Sequence, residues 1–255
     1  GGVYEIETEV PDMMEKKIDL LKRMVEESTY TVALCGSGMM EEGGFRSLKN
    51  QERAYSIEER YGRSPEELFT GAYYSTRPEE FFRFYKEEIL KNIPRKTESV
   101  DAMAAMERAG KLHGVITANA YAVASHALKN VVELHGNIYE NRCSRCGRSY
   151  PMEYVRDAAG VPLCVQCQSV IRPHVTMFGE MLDARLIERT SEEIEKAQLL
   201  LVLGTTLHSE VFRNYIRYFN GKYLAVIHER ADHEDYKADL VILDQPRHVL
   251  PQLGY

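Results

Sequence analysis

Two apolar runs, Thr31-Val32-Ala33-Leu34-Cys35 and Leu199-Leu200-Leu201-Val202-Leu203, are continuous rather than alternating, and each runs into a glycine, Gly36 and Gly204. A strand with no polar face is buried on both sides, so helices must cover both faces of its sheet. Shorter apolar runs recur at 115–117, 131–134, 223–227 and 240–243, and helical periodicity falls between them at 12–27, 99–111, 184–197 and 210–219. The alternation predicts an α/β fold, a doubly wound and mostly parallel sheet. Two stretches interrupt it and read as inserts, a helical one over 44–95 and a small cysteine-bearing one over 137–180. That leaves 1–43, 96–136 and 181–255 for the sheet domain. In the first insert, Ser64-Pro65-Glu66-Glu67 reads as a helix start. Residues 77–90 read as an amphipathic aromatic helix carrying Phe81, Phe82, Phe84, Tyr85 and Ile89.

Four of the five cysteines form Cys143-x-x-Cys146 and Cys164-x-x-Cys167, with 17 residues between the pairs. This spacing is that of a zinc knuckle, in which two tight turns present four thiolates to one ion. Four sulfur ligands leave no position for substrate, so the expected zinc is structural and supplies folding free energy to an insert poor in apolar mass. Gly147 permits the turn after the first pair. Cys35, at a strand end, reads as a small buried hydrophobe.

The 255 residues carry 32 basic and 39 acidic side chains, a net charge of −7. That balance argues against a protein that coats nucleic acid through bulk charge, and no nucleic-acid partner is expected. No apolar run approaches the roughly 20 residues needed to cross a bilayer, so no membrane association is expected. The first residues are acidic (Glu5, Glu7, Glu9) and show no leader pattern, which makes the cytoplasm the expected compartment.

Gly36-Ser37-Gly38 follows a buried strand and precedes helical sequence. Glycines there admit a phosphate to free backbone N–H groups, but a plain strand-to-helix turn has the same sequence. The third glycine of a dinucleotide fingerprint is missing, Glu41 standing in its place.

Taken in order along the chain, these pieces resemble the sirtuin family. Gly36-Ser37-Gly38 followed by Phe45-Arg46 resembles its cofactor loop, and Thr117-Ala118-Asn119 its Thr-Gln-Asn motif. Glu133-Leu134-His135-Gly136 matches its catalytic histidine motif, and the cysteine pairs match its zinc ribbon. Ile171-Arg172-Pro173 and Phe178-Gly179-Glu180 match the segment leading to the substrate cleft, and Gly204-Thr205-Thr206-Leu207 resembles its phosphate-side turn. The resemblance implies a Rossmann-like NAD-binding domain, a small zinc domain and an acyl-lysine protein or peptide as substrate. It implies transfer of the acyl group to ADP-ribose with release of nicotinamide, His135 acting as base on a ribose hydroxyl and Asn119 as its catalytic partner. It assigns Gly36, Ser37, Gly38, Phe45, Arg46, Thr117, Asn119, Gly204, Thr205, Thr206 and His228 to the cofactor. Val175, Phe178, Gly179 and Glu180 fall to the substrate, and Cys143, Cys146, Cys164 and Cys167 to zinc. The remaining histidines, His113, His126, His174, His208, His233 and His248, have no motif support and read as surface or capping residues.

The departures from the family pattern cluster at the nicotinamide end. Met39-Met40 replace Ile-Ser, the loop lacks Pro-Asp before Phe45, Ala118 replaces Gln, and Ala120-Tyr121 replace Ile-Asp. They imply a leaving-group pocket rebuilt with more apolar walls. Tyr85-Lys86-Glu87-Glu88 stands where members that prefer acidic acyl groups carry Tyr-x-x-Arg, so Glu88 is expected to repel such groups. Three functions follow: a protein-lysine deacylase, an ADP-ribosyltransferase or NAD hydrolase, and a non-catalytic module that binds NAD or ADP-ribose.

Overall fold

The structure, a computed structural model, describes residues 11–255; Glu5, Glu7 and Glu9 lie outside the described residues. The described residues form nine strands: β1 (Thr31–Cys35), β2 (Gly114–Thr117), β3 (Val131–Glu133), β4 (Gly136–Cys143), β5 (Ser149–Tyr150), β6 (Ile171–Val175), β7 (Leu199–Leu203), β8 (Tyr223–His228) and β9 (Leu240–Leu243). Six form one sheet in the order β3-β2-β1-β7-β8-β9, and three form a second, β5-β4-β6. β1, β7, β8 and β9 pair in parallel, with Thr31 opposite Leu199, Leu199 opposite Tyr223 and Ala225 opposite Leu240. Every residue of β1 and β7 is buried, as continuous apolar strands require. This is the expected Rossmann-like parallel sheet with helices.

By internal packing the chain falls into two units. The first holds residues 11–39, 98–115 and 190–255, the second 40–97 and 116–189. The helix Pro11–Glu27 belongs to the first unit and buries Ile18, Leu21, Met24 and Val25, spaced on one face. Gly110, at φ +72°, ends the helix Glu98–Arg108, where left-handed backbone closes the last turn. Cys35 is buried with its sulfur 4.0 Å from that of Met103.

In the second unit the helical insert and the cysteine-bearing sheet share one core, with Phe81, Phe82 and Tyr85 clustered with Ile138, Cys143, Val155 and Ile171. Residues 77–90 depart from the single amphipathic helix expected. An α-helix over Pro78–Phe84 passes into a wider π-helical turn over Tyr85–Leu90, and the aromatic residues are buried on several sides. Ser64 departs as well: its side chain makes no capping bond, its carbonyl accepts from the Glu67 and Leu68 N–H groups, and the helix it opens spans only Pro65–Leu68. Of the helix expected over 210–219, only Arg213–Ile216 is helical. Among the described residues no helix is long and apolar enough to cross a membrane.

Candidate active site

In the first unit, the strand order reverses direction between β1 and β7, the point in an open parallel sheet where ligands bind beyond the carboxyl ends. Gly36 and Gly204 stand at those two ends. The Gly36 N–H donates to the Leu203 carbonyl at 2.9 Å, and the Gly38 N–H donates to the Gly204 carbonyl at 2.8 Å. A Cβ on Gly36 would stand 2.4 Å from the Thr205 Cβ, and one on Gly38 would stand 2.6 Å from the Gly204 oxygen. Gly204 itself sits at φ +65°, where a Cβ would meet the Met39 nitrogen at 2.6 Å. Two turns packed backbone against backbone thus require these glycines whether or not an anion binds. Ser37 is exposed, Thr205 and Thr206 are half-buried, and His228 is half-buried at the end of β8.

In the second unit, β2 ends at Thr117, and the following turn is held by its own side chains. The Asn119 amide donates to Thr117 Oγ1 at 2.8 Å, and its oxygen accepts from the Tyr121 N–H at 2.9 Å. One amide N–H of Asn119 remains for a ligand. The turn is tied to the histidine segment by Leu134 N–H to the Thr117 carbonyl and Ile138 N–H to the Ala120 carbonyl, at 3.1 and 2.8 Å. His135 is fixed on its other side, where its carbonyl accepts from the Thr176 N–H at 2.9 Å. Gly136, at φ +72°, passes so close to the His174 carbonyl that a Cβ would lie 1.9 Å from its oxygen. The glycine of Glu-Leu-His-Gly is therefore the residue that lets β4 pair closely with β6 directly after the histidine.

Burial, and then the Lys49 cation, hold the His135 imidazole below its ordinary pKa of about 6.5. It is therefore neutral at pH 7 and able to accept a proton. Lys49 carries no motif signal; only the fold brings it to the histidine. Replacing Lys49 by Met removes a like charge and should move the acid limb of the kcat/KM profile upward, toward pH 6.5. An unmoved limb, measured from pH 5 to 8, would show that Lys49 does not tune this group.

The loop segment Phe45-Arg46 is held by a side chain that local sequence does not reveal. Arg53, buried, donates to the Arg46 carbonyl and, at 2.6 Å, to the Glu88 carbonyl, and its guanidinium stands 5.6 Å from the centre of the Phe45 ring. The Glu88 carbonyl is among the last four of its helical segment and needs an outside donor. The Glu88 carboxylate lies 3.8 Å from Arg53, pairs with Arg60 and accepts from the Tyr61 hydroxyl at 3.0 Å. This corrects the expectation for Glu88: its charge is neutralised inside the protein, so it gives no ground for excluding acidic acyl chains. Arg53→Met leaves the Arg46 and Glu88 carbonyls without this donor and should cost about 2–4 kcal/mol, read as a melting temperature lowered by roughly 4–15 °C. A shift under roughly 2 °C would mean that water replaces the guanidinium at both carbonyls.

Phe45 meets Tyr121 edge to face, with ring centres 5.3 Å apart, and Met40 and Ala120 pack against the same cluster. Tyr121 is buried, and burial pushes its phenol up to about 12, against the Arg53 charge. Three of the altered positions, Met40, Ala120 and Tyr121, thus lie in or against one apolar cluster. Arg46 is exposed and pairs with Glu52 at 2.8 Å.

The segment Val175–Glu180 is also built. The Phe178 N–H donates to the Phe69 carbonyl at 2.9 Å, and the two rings meet edge to face. Gly179 takes φ +80°, and the Glu180 carboxylate accepts from Arg172 at 2.6 Å and from the Met177 N–H at 2.7 Å. Val175 is buried at the end of β6. Glu180 is therefore occupied in shaping its own turn.

The sulfur atoms of Cys143, Cys146, Cys164 and Cys167 all lie within 4.8 Å of one another. Cys143 and Cys167 are 3.2 Å apart, and Cys146 and Cys164 3.6 Å. Disulfides need about 2.05 Å, whereas Zn–S bonds of about 2.3 Å put tetrahedral sulfur atoms about 3.8 Å apart. The donor set fits zinc. The Tyr150 hydroxyl, donating at 3.1 Å, leads the contacts that bring the Cys164 thiol down to about 6, favouring thiolate. His113 accepts the Thr31 N–H at 2.9 Å, a capping role. His208 and His233, which no motif marks, come together with Glu234.

Comparisons with known proteins agree with this layout. The sequence model of the Sir2 family matches residues 36–211. An NAD-dependent protein deacetylase of Clostridium acetobutylicum is 33% identical over 236 residues, covering 92% of this chain and 96% of that protein. A solved sirtuin, studied for substrate affinity, superposes with a TM-score of 0.83 at 28% identity over 92% of this chain and 97% of its own. A Sir2 structure with a p53 peptide and NAD+ has a TM-score of 0.76 at 27% identity, over 92% and 96% of the two chains. With the glycine turns, the Glu-Leu-His-Gly segment and the four-cysteine cluster all in the matched order, this chain belongs to the Sir2 family.

Proposed function

We propose that this protein is an NAD-dependent protein-lysine deacylase, which moves an acyl group from a lysine side chain to ADP-ribose and releases nicotinamide. The observation that carries the reading is His135: a half-buried imidazole kept neutral, with its backbone fixed on both sides. The relatives named above, a deacetylase and a Sir2 protein holding peptide and NAD+, support it. When bound, NAD supplies an activated ribose carbon whose nicotinamide is the leaving group.

The chain's own residues do the remaining work. Gly36 and Gly38, whose N–H groups donate to the Leu203 and Gly204 carbonyls, would leave room for a diphosphate beside the Ser37 N–H, Thr205 and Thr206, and His228 would help to hold the adenosine side. Phe45, Arg46 and Thr117 would contribute to holding the cofactor. Asn119 offers its remaining amide N–H to a ribose hydroxyl or a water. His135 would accept a ribose-hydroxyl proton at its ring nitrogen. Val175, Phe178, Gly179 and Glu180 form the rim that receives the acyl-lysine segment. Cys143, Cys146, Cys164 and Cys167 would hold a structural zinc that supplies folding free energy to the small sheet. The partner is an acylated protein or peptide, and the compartment we infer is the cytoplasm, a reading supported by four thiols suited to zinc rather than to disulfides.

The test measures nicotinamide release from NAD with and without an acetyl-lysine peptide. Release that depends on the peptide, with deacylated peptide formed in equal amount, is expected. Release without peptide would replace this reading with ADP-ribosyl transfer or NAD hydrolysis. Nucleotide binding with no release would leave a binding module.

A further inference from the structure

Beyond β7 and β8 the first unit carries two loops, one holding His208 and the other Asp232, His233 and Glu234. The ligand atoms of His208, His233 and Glu234 lie within 4.8 Å of one another. His208 Nδ1 is 3.8 Å from Glu234 Oε1, and the two imidazole rings meet edge to face with centres 4.9 Å apart. Both loops are held by their own hydrogen bonds. The Ser209 N–H donates to the Thr206 carbonyl at 3.2 Å, the Glu234 N–H to Asp232 Oδ2 at 3.0 Å, and the Asp232 N–H to Asp235 Oδ2 at 2.8 Å. Asp232 Oδ1 stands 3.5 Å from His233 Nδ1, where a carboxylate orients a ligating imidazole and leaves Nε2 for the metal. The histidines are 49% and 71% exposed, so an ion can reach them and small side-chain rotations can close the site.

We propose that His208, His233 and Glu234 bind one divalent transition-metal cation, which joins the loop after β7 to the loop after β8. Two imidazoles and one carboxylate suit zinc, cobalt, nickel or copper and not magnesium or calcium, which take oxygen ligands. Three protein ligands leave the remaining positions to water. The ion is distinct from the zinc of the four cysteines, whose ligands all belong to the other unit. Lys237 opposes it, its Nζ lying 3.3 Å from Glu234 Oε1. The joined loops follow strands that end in Leu203 and His228, so the ion ties together part of the carboxyl end of the sheet, where Thr205 and Thr206 stand.

The experiment titrates Co2+ into the full chain with its cysteine site already loaded with zinc, followed by calorimetry and visible absorption. One further equivalent is expected, with the weak absorption of nitrogen and oxygen ligands and no thiolate charge-transfer band. His208→Ala and His233→Ala should each weaken binding by at least about tenfold, taking the size of an outer-shell loss as the floor. Lys237→Ala should tighten it, a gain that a merely structural ion pair would not produce. All three positions are exposed, and unchanged zinc content in each variant shows that the fold is kept. No second equivalent short of millimolar cobalt overturns the proposal. So does equal affinity in the His208→Ala/His233→Ala double variant, or a thiolate band showing that cobalt has entered the cysteine site.

Discussion

Replacing His135 by Ala is expected to lower peptide-dependent nicotinamide release by about 10²–10⁴-fold, the usual share of a positioned general base. The substitution removes the proton acceptor and little else. The His135 carbonyl keeps its bond from Thr176, and Gly136 still passes under His174, so the segment retains its course. Affinity for NAD or ADP-ribose, followed by thermal shift, should stay within about threefold of the parent, because a base used on the reacting hydroxyl contributes to the transition state more than to the ground state. The pairing of results is diagnostic. A large loss in rate with nucleotide affinity kept assigns the proton transfer to this ring. Parent-like rates in the variant would remove His135 from the reaction, and a parallel loss of affinity and rate would make it a binding residue. The parent profile should fall on the acid side below pH 6.5, since burial lowers this imidazole's pKa and only the neutral ring accepts a proton.

Loss of the four-cysteine centre should have the larger effect on stability. Structural zinc in small sites contributes apparent binding free energies of about 10–16 kcal/mol, comparable with the roughly 5–15 kcal/mol that holds a whole domain folded. β5 has only two residues, so little of the β5-β4-β6 sheet can hold without the metal. Cys143 lies in the same core cluster as Phe81, Phe82 and Tyr85, so disorder there also strips one side of the helical insert. Cys143→Ser is expected to reduce zinc to well under one equivalent, lower the melting temperature by more than about 10 °C and expose apolar surface to a hydrophobic dye. Cys35→Ser, which removes a buried thiol outside the cluster, is the control and should retain zinc. Full zinc content with unchanged melting in Cys143→Ser would show that the cluster is not the metal site.

Much of the fold was legible in the linear pattern. Continuous apolar runs can only be strands buried on both faces, and β1 and β7 are just that. The helices at 11–27 and 184–196 follow from spacing alone, as does the cysteine quartet, because turn geometry and ligand chemistry are local. The aromatic stretch at 77–90 was less legible. Its period suggested one amphipathic helix, but the core of the second unit surrounds it, and a π-helical turn replaces its second half. Ser64 has a capping sequence without a capping bond, since a four-residue helix is closed by backbone contacts instead.

The site divides in the same way. Gly36, Gly204, Gly136 and His135 announce themselves, because a turn that admits no Cβ and a histidine inside a motif leave marks at consecutive positions. Arg53 with Glu88, Lys49 with His135, and His208 with His233 do not, since each pair is separated by tens of residues and no periodicity links its members. Glu88 shows the consequence: read in line it was a repelling charge, and folded it is neutralised by two arginines. Backbone conformation and burial are written in short-range pattern, through steric limits and the transfer of apolar surface from water. The charge state of a side chain depends on distance through space, and distance between remote residues exists only once the chain has folded.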